Sequence, residues 1–294
     1  MGPGHPEQPD RARAVEAALA APRFSALERR VAPTAQREDL ARAHPESYLR
    51  ALEQASPDKG YVALDADTAM NPQTLNAALH AAGGAVAAVD AVMRGSADNA
   101  FAATRPPGHH AGAATPMGFC FLNNIAVAAR RAMAEHGAER VAIVDFDVHH
   151  GNGTQEIFWS DEKVLFCSTH QAPFYPGSGG LNERGAFDNV VNAPLRAGSD
   201  GERFAEALRE AILPRLKRFA PDLLLISAGF DAHAADPLGG LRLEAQDFAE
   251  TTKRLMDIAD QCCSGRLVSL LEGGYDLEAL ALSVAAHVGA LAGQ

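Results

Sequence analysis

The segment Val141–Asn152, with the sequence VAIVDFDVHHGN, indicates the fold more directly than any other part of the chain. Four apolar residues run into two carboxylates and two imidazoles, a pattern typical of a buried parallel strand that ends at a polar site. Alternate side chains of a strand share a face. One face would carry Asp145, Asp147 and His149, and the other Phe146, Val148 and His150, until the strand breaks near Gly151. We therefore expect Asp147 and His149 to converge on one metal ion, with Asp145 supporting them from behind.

Apolar runs of strand length alternate with helical patterns along the rest of the chain. Further strands are predicted at 100–104, 164–169, 190–193, 222–227 and 267–271. Helices are predicted at 11–20, 38–52 with a break at Pro45, 73–94, 119–136, 201–219, 244–262 and 277–290. This alternation predicts one α/β domain over residues 1–294, with a mostly parallel sheet covered by helices on both faces. Ligands of such sheets bind outside the carboxyl ends of the strands.

Composition narrows the class of protein. A chain of 294 residues with 47% hydrophobic content can bury a substantial core. The net charge of −11 argues against a nucleic-acid-binding surface and permits attraction to cationic substrates. The four cysteines form no C-x-x-C pair, so neither a disulfide framework nor a thiolate zinc site is indicated. With no signal-peptide pattern and no run of about eighteen apolar residues, we expect a soluble cytoplasmic protein without a membrane partner.

Polar residues with metal-binding or catalytic potential follow five of the predicted strands. They are His109 with His110, the cluster from Asp145 to Asn152, Ser168 with His170, Asp231 with His233 and Asp236, and Tyr275. Asp231 is the expected third metal ligand because it directly follows an apolar strand and Gly229, whereas Asp236, before Pro237, is expected to be a turn residue. Two carboxylates and one imidazole suit Zn²⁺ or Fe²⁺ and leave positions open for water and substrate.

Five segments, in order along the chain, resemble the motifs of zinc-dependent histone deacetylases and their bacterial relatives, most closely of the class II type. They are RPPGHHA (105–111), GFCFLNN (118–124), VDFDVHHGNGTQ (144–155), SAGFDAHAADPLGG (227–240) and LEGGYD (271–276). The resemblance covers nearly the whole chain and implies an arginase/deacetylase-like fold. Relatives generally have a leading strand before the GHPEQP loop, where this chain begins, so it stays open whether one strand of the sheet is missing.

The resemblance also implies a role for each residue of the site. The zinc ligands would be Asp147, His149 and Asp231. His109 and His110 would be the paired imidazoles beside the reactive water, and Tyr275 the hydroxyl that polarises the substrate carbonyl. Amide hydrolysis needs these parts independently: an activated water, a proton acceptor that later protonates the leaving amine, and donors for the oxyanion.

The two histidines are expected to differ because their partners differ. Asn152 resembles the class II pattern at a position where class I relatives have Asp, so His110 would face a neutral partner and His109 the charged Asp145. Different partners separate the pKa values and assign the roles. We expect His110 to titrate at the lower pH and to act as the base.

Further residues are implied to bind substrate or a second ion. Phe119 and Tyr175 resemble the aromatic pair that lines the narrow channel for the lysine methylenes. The carbonyl of Gly118 would accept a hydrogen bond from the substrate amide, and Leu238 occupies a position where polyamine-selective relatives have Glu. Ser168 and the backbone carbonyls of Asp145, Asp147 and His149 resemble the potassium site of the family, so K⁺ is an additional candidate.

These observations lead to the hypothesis of a zinc-dependent deacylase acting on acetyl-lysine in a peptide or protein, or on a small acylated amine. A dinuclear ureohydrolase of the arginase type is an alternative, because DAHAADP carries further Asp and His residues, but it needs two metals and more carboxylates. A catalytically silent protein that binds acyl-lysine is a second alternative. The oligomeric state is left open.

Overall fold

Six strands form one parallel sheet at the centre of the computed structural model, which describes residues 1–2 and 4–294. Two short strands outside that sheet, β1 (Val62–Ala63) and β2 (Ala69–Met70), form an antiparallel hairpin. The sheet strands are β3 (Asn99–Ala102), β4 (Val141–Asp145), β5 (Val164–Gln171), β6 (Val190–Leu195), β7 (Leu223–Ala228) and β8 (Leu267–Leu271). Their order across the sheet is β3-β8-β7-β4-β5-β6. The chain leaves β4 towards β5 on one side and later returns to place β7 on its other side, so the carboxyl ends of β4 and β7 form a topological switch point.

Helices cover both faces of this sheet, as the alternating pattern predicts. They are α1 (Pro9–Leu19), α2 (Arg37–Ala41), α3 (Glu46–Ala55), α4 (Thr74–Met93), α5 (Asn124–His136), α6 (Asn152–Phe158), α7 (Gly201–Ala207), α8 (Leu213–Phe219), α9 (Ala245–Cys263) and α10 (Leu277–Leu291). A 3-10 turn spans Pro22–Phe24, and a π-helical turn, Leu208–Ile212, joins α7 to α8. The predicted α/β class with a parallel sheet between two helical layers is confirmed.

The central strand β4 contributes alternate residues to two apolar clusters. Ala142 and Val144 pack in the cluster that includes residues of α1, α9 and α10, whereas Val141 and Ile143 pack in the cluster that includes α3, α4 and α5. Burial on both faces explains why this strand reads as a continuous apolar run rather than as an alternating one. It also fixes the strand register, since a slip by one residue would exchange the two faces.

The strand that carries the metal-site motif ends earlier than the sequence pattern predicts. Strand β4 stops at Asp145 instead of continuing to Gly151. The reason is local: Asp145 Oδ1 accepts a hydrogen bond from Asp147 N at 3.1 Å, and Asp147 Oδ1 accepts one from His149 N at 2.9 Å. Two successive turns of this kind replace the strand ladder. Phe146 and Val148 still pack in one apolar cluster, as their predicted common face requires.

Two predicted helices also differ from the structure. The helix predicted at 119–136 begins only at Asn124, because Gly118 and Phe119 have positive φ angles and the Asn123 side chain caps the helix by accepting from Ala126 N at 2.9 Å. The helix predicted at 201–219 contains the π-helical turn just before Pro214, whose missing N–H cannot continue the α-helical hydrogen-bond pattern. Helix α6 was not predicted at all.

Helix α4 has the length and apolarity of a membrane-spanning helix, by composition alone. The buried helix of a protein core can pass the same test. Its buried residues Ala82, Ala85 and Val89 lie in the apolar cluster that contains Ile143, and its Asp90 pairs with Arg131 of α5 at 2.9 Å. The apolar character of α4 is therefore used in packing against the sheet and α5.

Ile143 provides a test of how much the fold depends on β4. Its side chain is 0% exposed, so Ile143→Ala should lower the free energy of unfolding by about 2–5 kcal/mol, and Ile143→Val by only about 0.5–1.5 kcal/mol. Urea unfolding followed by circular dichroism would measure both. Equal and small losses for the two variants would show that the strand is not tightly packed.

Candidate active site and metal centre

Three side chains that the sequence analysis assigned to a metal converge at the carboxyl ends of β4 and β7. One potential ligand atom each from Asp147, His149 and Asp231 lies within 4.8 Å of the other two. His149 Nδ1 is 3.0 Å from Asp147 Oδ1 and 3.2 Å from Asp231 Oδ2. Both carboxylates are buried, and His149 is partly exposed. The sheet topology brings them together, because β4 and β7 are neighbours.

Backbone N–H groups orient the two carboxylates. Val148 N donates to Asp231 Oδ1 at 2.9 Å, and Gly273 N donates to Asp147 Oδ2 at 2.8 Å. Two glycines lie so close to these carboxylates that no side chain would fit at either position. A Cβ on Gly229 would lie 2.1 Å from Asp147 Oδ2, and one on Gly273 would lie 2.0 Å from Asp231 Oδ2. Each carboxylate thus keeps oxygen lone pairs directed at the space between the three side chains.

The arrangement fits a divalent cation. His149 Nδ1 carries at most one hydrogen, and Asp231 Oδ2 is buried without a hydrogen-bond partner among the described residues, an arrangement that is costly unless a cation compensates it. Burial and the charge of Asp147 raise the pKa of Asp231 to about 7. Burial also opposes ionisation of Asp147, but the charges of His109 and His149 lower the pKa of that carboxyl. Two oxygens and one nitrogen form a donor set that Zn²⁺ accepts.

His109 is held by a carboxylate. Its Nδ1 is 2.9 Å from Asp145 Oδ2, and its Nε2 is 3.8 Å from Asp147 Oδ2. Burial alone would lower the pKa of His109, but the charges of Asp145 and Asp147 raise it well above the ordinary value. The imidazole of His109 is therefore favoured in its charged form.

His110 has a neutral partner instead. Its Nδ1 lies 2.7 Å from Asn152 Oδ1, while the amide nitrogen of Asn152 donates to Met117 Sδ at 3.2 Å. The amide oxygen thus faces the imidazole, so His110 Nδ1 is the donor and Nε2 can accept a proton. Burial, with the charges of His109 and His149, lowers the pKa of His110 well below its ordinary value. The two adjacent imidazoles differ in charge because their partners differ.

A cavity of about 290 Å³ opens above the three-residue cluster. It is lined by Asp67, His110, Gly118, Phe119, His149, Phe174, Tyr175, Pro237, Leu238 and Tyr275. The Phe174 ring stacks on His149 with centroids 5.4 Å apart, Tyr175 meets His110 edge-on at 5.3 Å, and Phe119 meets Tyr275 edge-on at 5.8 Å. Burial raises the pKa of the Tyr275 phenol well above its ordinary value, so the hydroxyl keeps its proton. A pocket with apolar walls, a phenol, an imidazole and a candidate cation site suits an elongated apolar ligand with one polar end.

Comparison with known proteins identifies the family. A family described as the histone deacetylase domain matches residues 5–291. The chain belongs to the histone deacetylase family. It is 42% identical over 277 residues to a histone deacetylase-like amidohydrolase from Pseudomonas aeruginosa, covering 92% of this chain and 73% of that protein. It is 45% identical over 244 residues to a probable deacetylase from Archaeoglobus fulgidus, covering 82% and 67%. The crystal structure of the HDA15 HD domain superposes with a TM-score of 0.94 and 38% identity, covering 100% of this chain and 83% of that one.

Most residues that the sequence analysis selected lie together in this histone deacetylase domain. The three ligand candidates, His109, His110, Asp145, Asn152 and Tyr275 form one contiguous site, and Gly118, Phe119, Tyr175 and Leu238 line the cavity. Ser168 is buried beside Asp145, with which it is in register between β4 and β5. His233 belongs to another environment, because its Nε2 lies 3.6 Å from Glu244.

Sequence reasoning missed several residues of the site. Phe174 and Pro237 line the cavity. Asp67 also reaches it, from the turn between β1 and β2; the sequence had left open whether this loop residue is only solvated or contacts substrate. Glu272 is buried behind the histidines, where its Oε2 accepts hydrogen bonds from Gly108 N at 2.6 Å and His109 N at 3.1 Å. Burial raises the pKa of Glu272 to about 7. Its position directly after an apolar strand was the available signal, the same one that selected Asp231.

Substitution of one candidate ligand should weaken the binding of a divalent metal ion. Asp231→Asn should weaken binding of Zn²⁺ or Co²⁺ by at least ~100-fold, because loss of a partner outside the ligand set alone costs about 10–100-fold. Competition with a fluorescent zinc chelator would measure the affinity, with Asp257→Asn on the exposed face of α9 as the control. An affinity unchanged in Asp231→Asn would exclude this residue as a ligand.

Proposed function

We propose that the protein is a zinc-dependent deacylase that hydrolyses the amide at the end of a long alkylamine, with acetyl-lysine side chains as the expected substrates. The observation that carries the proposal is the convergence of an O/N/O ligand set, an imidazole with an accepting nitrogen and a protonated phenol at the inner end of a cavity with aromatic walls. Membership of the histone deacetylase family supports the same class of reaction.

Asp147, His149 and Asp231 would hold the zinc ion. When bound there, zinc supplies a Lewis acid for the acyl carbonyl and lowers the pKa of a water molecule. The protein would add proton transfer at His110: Nε2 takes the proton of the attacking water and returns it to the leaving amine. A base needs to be neutral before the reaction, and the lowered pKa of His110 meets that requirement.

Two further groups would stabilise developing negative charge. The phenol of Tyr275 donates a hydrogen bond to the acyl oxygen, and it can do so because its raised pKa keeps it protonated. His109 contributes a positive charge fixed by Asp145. His109 lies next to the ligand set, since its Nε2 is 3.8 Å from Asp147 Oδ2.

The cavity walls would select the substrate. Flat rings of Phe119, Phe174 and Tyr175 can enclose an unbranched aliphatic chain and exclude water from the site. Leu238 gives the wall a neutral group and so disfavours acetylated polyamines, whose distal amines are charged. Among the described residues one cluster has the spacing of a metal site, which favours a single catalytic metal over the dinuclear ureohydrolase alternative.

We also propose a potassium ion near Ser168 and a cytoplasmic location. His170 Nε2 lies 3.0 Å from the carbonyl of Gly179, so this nitrogen is the donor and Nδ1 accepts from Ser168 Oγ at 2.9 Å. The oxygen lone pairs of Ser168 are then available to a cation. All four cysteines are free, which is compatible with a reducing compartment.

Steady-state kinetics on a panel of acetyl-lysine peptides, acetylpolyamines and longer acyl-lysines would test the proposal with zinc-loaded protein. We expect the highest kcat/KM for acetyl-lysine, loss of activity with a chelator, and recovery when zinc is restored. Tyr275→Phe should lower kcat by about 10²–10³-fold, the usual cost of one oxyanion donor. Tyr61→Phe, at a side chain 54% exposed, is the matched control.

Other results would contradict the deacylase. Release of urea from arginine with two equivalents of Mn²⁺ would support the ureohydrolase. Binding of acyl-lysine peptide without turnover would support a silent binding protein.

The neutral partner of His110 leads to a prediction about pH. In Asn152→Asp a carboxylate would stabilise the protonated imidazole and raise the pKa of His110, so the base is lost at higher pH. The acidic limb of the kcat/KM profile should therefore move upward by about 1–3 pH units. The exposed Asn76→Asp adds the same charge elsewhere and should leave the profile unchanged. A profile of Asn152→Asp identical to that of the wild type would exclude His110 as the base.

A further inference from the structure

The segment that carries Tyr275 has few side chains to fix its conformation. Gly273 and Gly274 precede the tyrosine, so the path of the loop depends on hydrogen bonds to its backbone. Gly273 N donates to Asp147, and the guanidinium of Arg11 donates to the carbonyl of Gly274 at 2.6 Å. The N–H groups of Tyr275 and of the residue after it both donate to one carboxylate oxygen, which belongs to Asp236.

Asp236 makes three backbone contacts through its two oxygens. Oδ2 accepts from Tyr275 N at 2.6 Å and from Asp276 N at 3.2 Å, while Oδ1 accepts from Leu238 N at 2.9 Å. The residue is 6% exposed. Leu238 and Tyr275 line the cavity from different segments of the chain. One buried carboxylate thus connects the cavity wall to the phenol.

This carboxylate is more than a turn residue. The contact with Leu238 is the local turn that the sequence predicted, but the contacts with Tyr275 and Asp276 join segments 39 and 40 residues apart. None of the ion pairs that the structure describes involves Asp236, so backbone N–H dipoles are what offset the cost of burying its charge. Because these N–H groups are what compensates the buried charge, losing any one of them would be costly, and the carboxylate therefore holds the donating segments in place.

We propose that Asp236 is a positioning residue that fixes the place of the Tyr275 phenol, and of Leu238 in the cavity wall, relative to the candidate metal centre. The inference rests on the proposed deacylase function, because it assigns Asp236 an effect on catalysis through Tyr275. Asp236 is not among the residues that line the cavity, so it would act through Tyr275 rather than on the substrate itself. A carboxylate is suited to this role because each of its two oxygens accepts hydrogen bonds from a different segment. An amide has only one acceptor oxygen, and its NH₂ group would face the N–H donors of the other segment.

Kinetics of substituted proteins would test the positioning role. Asp236→Ala removes both acceptors and should lower kcat by about 10–100-fold, because a displacement of ~1 Å in a reacting group can cost 100-fold. Asp236→Asn keeps the volume and one acceptor, so its kcat should lie between those of Asp236→Ala and the wild type. Zinc content should remain at the wild-type value in both. Asp257→Ala on the exposed face of α9 is the control and should not change kcat.

A double-mutant cycle separates positioning from a general structural effect. The proposal assigns the effect of Asp236 on kcat to the phenol and its effect through Leu238 to substrate binding, that is, to KM. Asp236→Ala should therefore change kcat by no more than about twofold when Tyr275 is already Phe, because the two substitutions remove the same contribution to kcat. An equal loss in both backgrounds would overturn the proposal, as would wild-type kcat in Asp236→Ala. If Asp236→Ala does not fold, Asp236→Asn takes its place in the cycle.

A measurement without turnover keeps this inference distinct from the proposed function. The chain has four tyrosines, so labelling with 3-fluorotyrosine gives four ¹⁹F resonances, and Tyr275→Phe identifies the one from Tyr275. In zinc-loaded Asp236→Asn that resonance should shift or broaden while those of Tyr48 and Tyr61 stay in place. An unchanged Tyr275 resonance would refute the positioning role, whereas a wild-type protein without amide hydrolysis would refute only the deacylase.

Discussion

The site depends on the burial of two carboxylates on neighbouring strands. Asp147 and Asp231 follow β4 and β7, and like charges this close are unstable in a protein interior unless donors or cations surround them. The fold supplies donors from two other segments: Val148 N binds Asp231, and Gly273 N binds Asp147. His149 lies between the carboxylates. Among the described residues Asp231 Oδ2 accepts no hydrogen bond, so a metal ion bound between the three side chains would neutralise it.

This constraint accounts for the glycines around the site. Gly229 and Gly273 leave no room for a Cβ because the space is filled by carboxylate oxygens. Both follow buried strands directly or nearly so, so the loops that begin there pass close to the carboxylates from the start. The strands are rigid through burial on two faces, and their carboxyl ends can therefore hold charged groups at fixed separation. The packing of β4 and β7 therefore helps to hold the two carboxylates of the site in place.

Much of the architecture could be predicted because it depends on local sequence patterns, such as apolar runs of strand length. The apolar runs of β4, β7 and β8 are continuous because both faces of these strands are buried. A charged residue that follows such a run closely has to lie beyond the carboxyl end of the strand. This reasoning selected Asp147, His149 and Asp231, which lie together. The same reasoning could have selected Glu272, which follows β8 and binds the backbone of the histidine loop.

Other features could not be predicted because they depend on contacts between distant segments. The role of Asp236 is an example: its sequence context, before a proline, indicates a turn, and the turn exists, yet two of its three hydrogen bonds reach the loop after β8. The end of β4 at Asp145 depends on side-chain acceptors that compete with the strand ladder. Phe174 joins the cavity only because its loop folds back over His149.

The two adjacent histidines have pKa values shifted in opposite directions although their surroundings differ little. His109 and His110 are adjacent, both buried, and their rings are 4.0 Å apart. Both direct Nδ1 at an oxygen of a short side chain, which differs only in being a carboxylate in Asp145 and an amide in Asn152. The carboxylate stabilises the imidazolium of His109, and that positive charge in turn disfavours a second one on His110. Burial and the charge of His109 lower the pKa of His110 and outweigh the hydrogen bond to the neutral Asn152, which alone would raise it. His110 Nε2 therefore stays free to accept a proton.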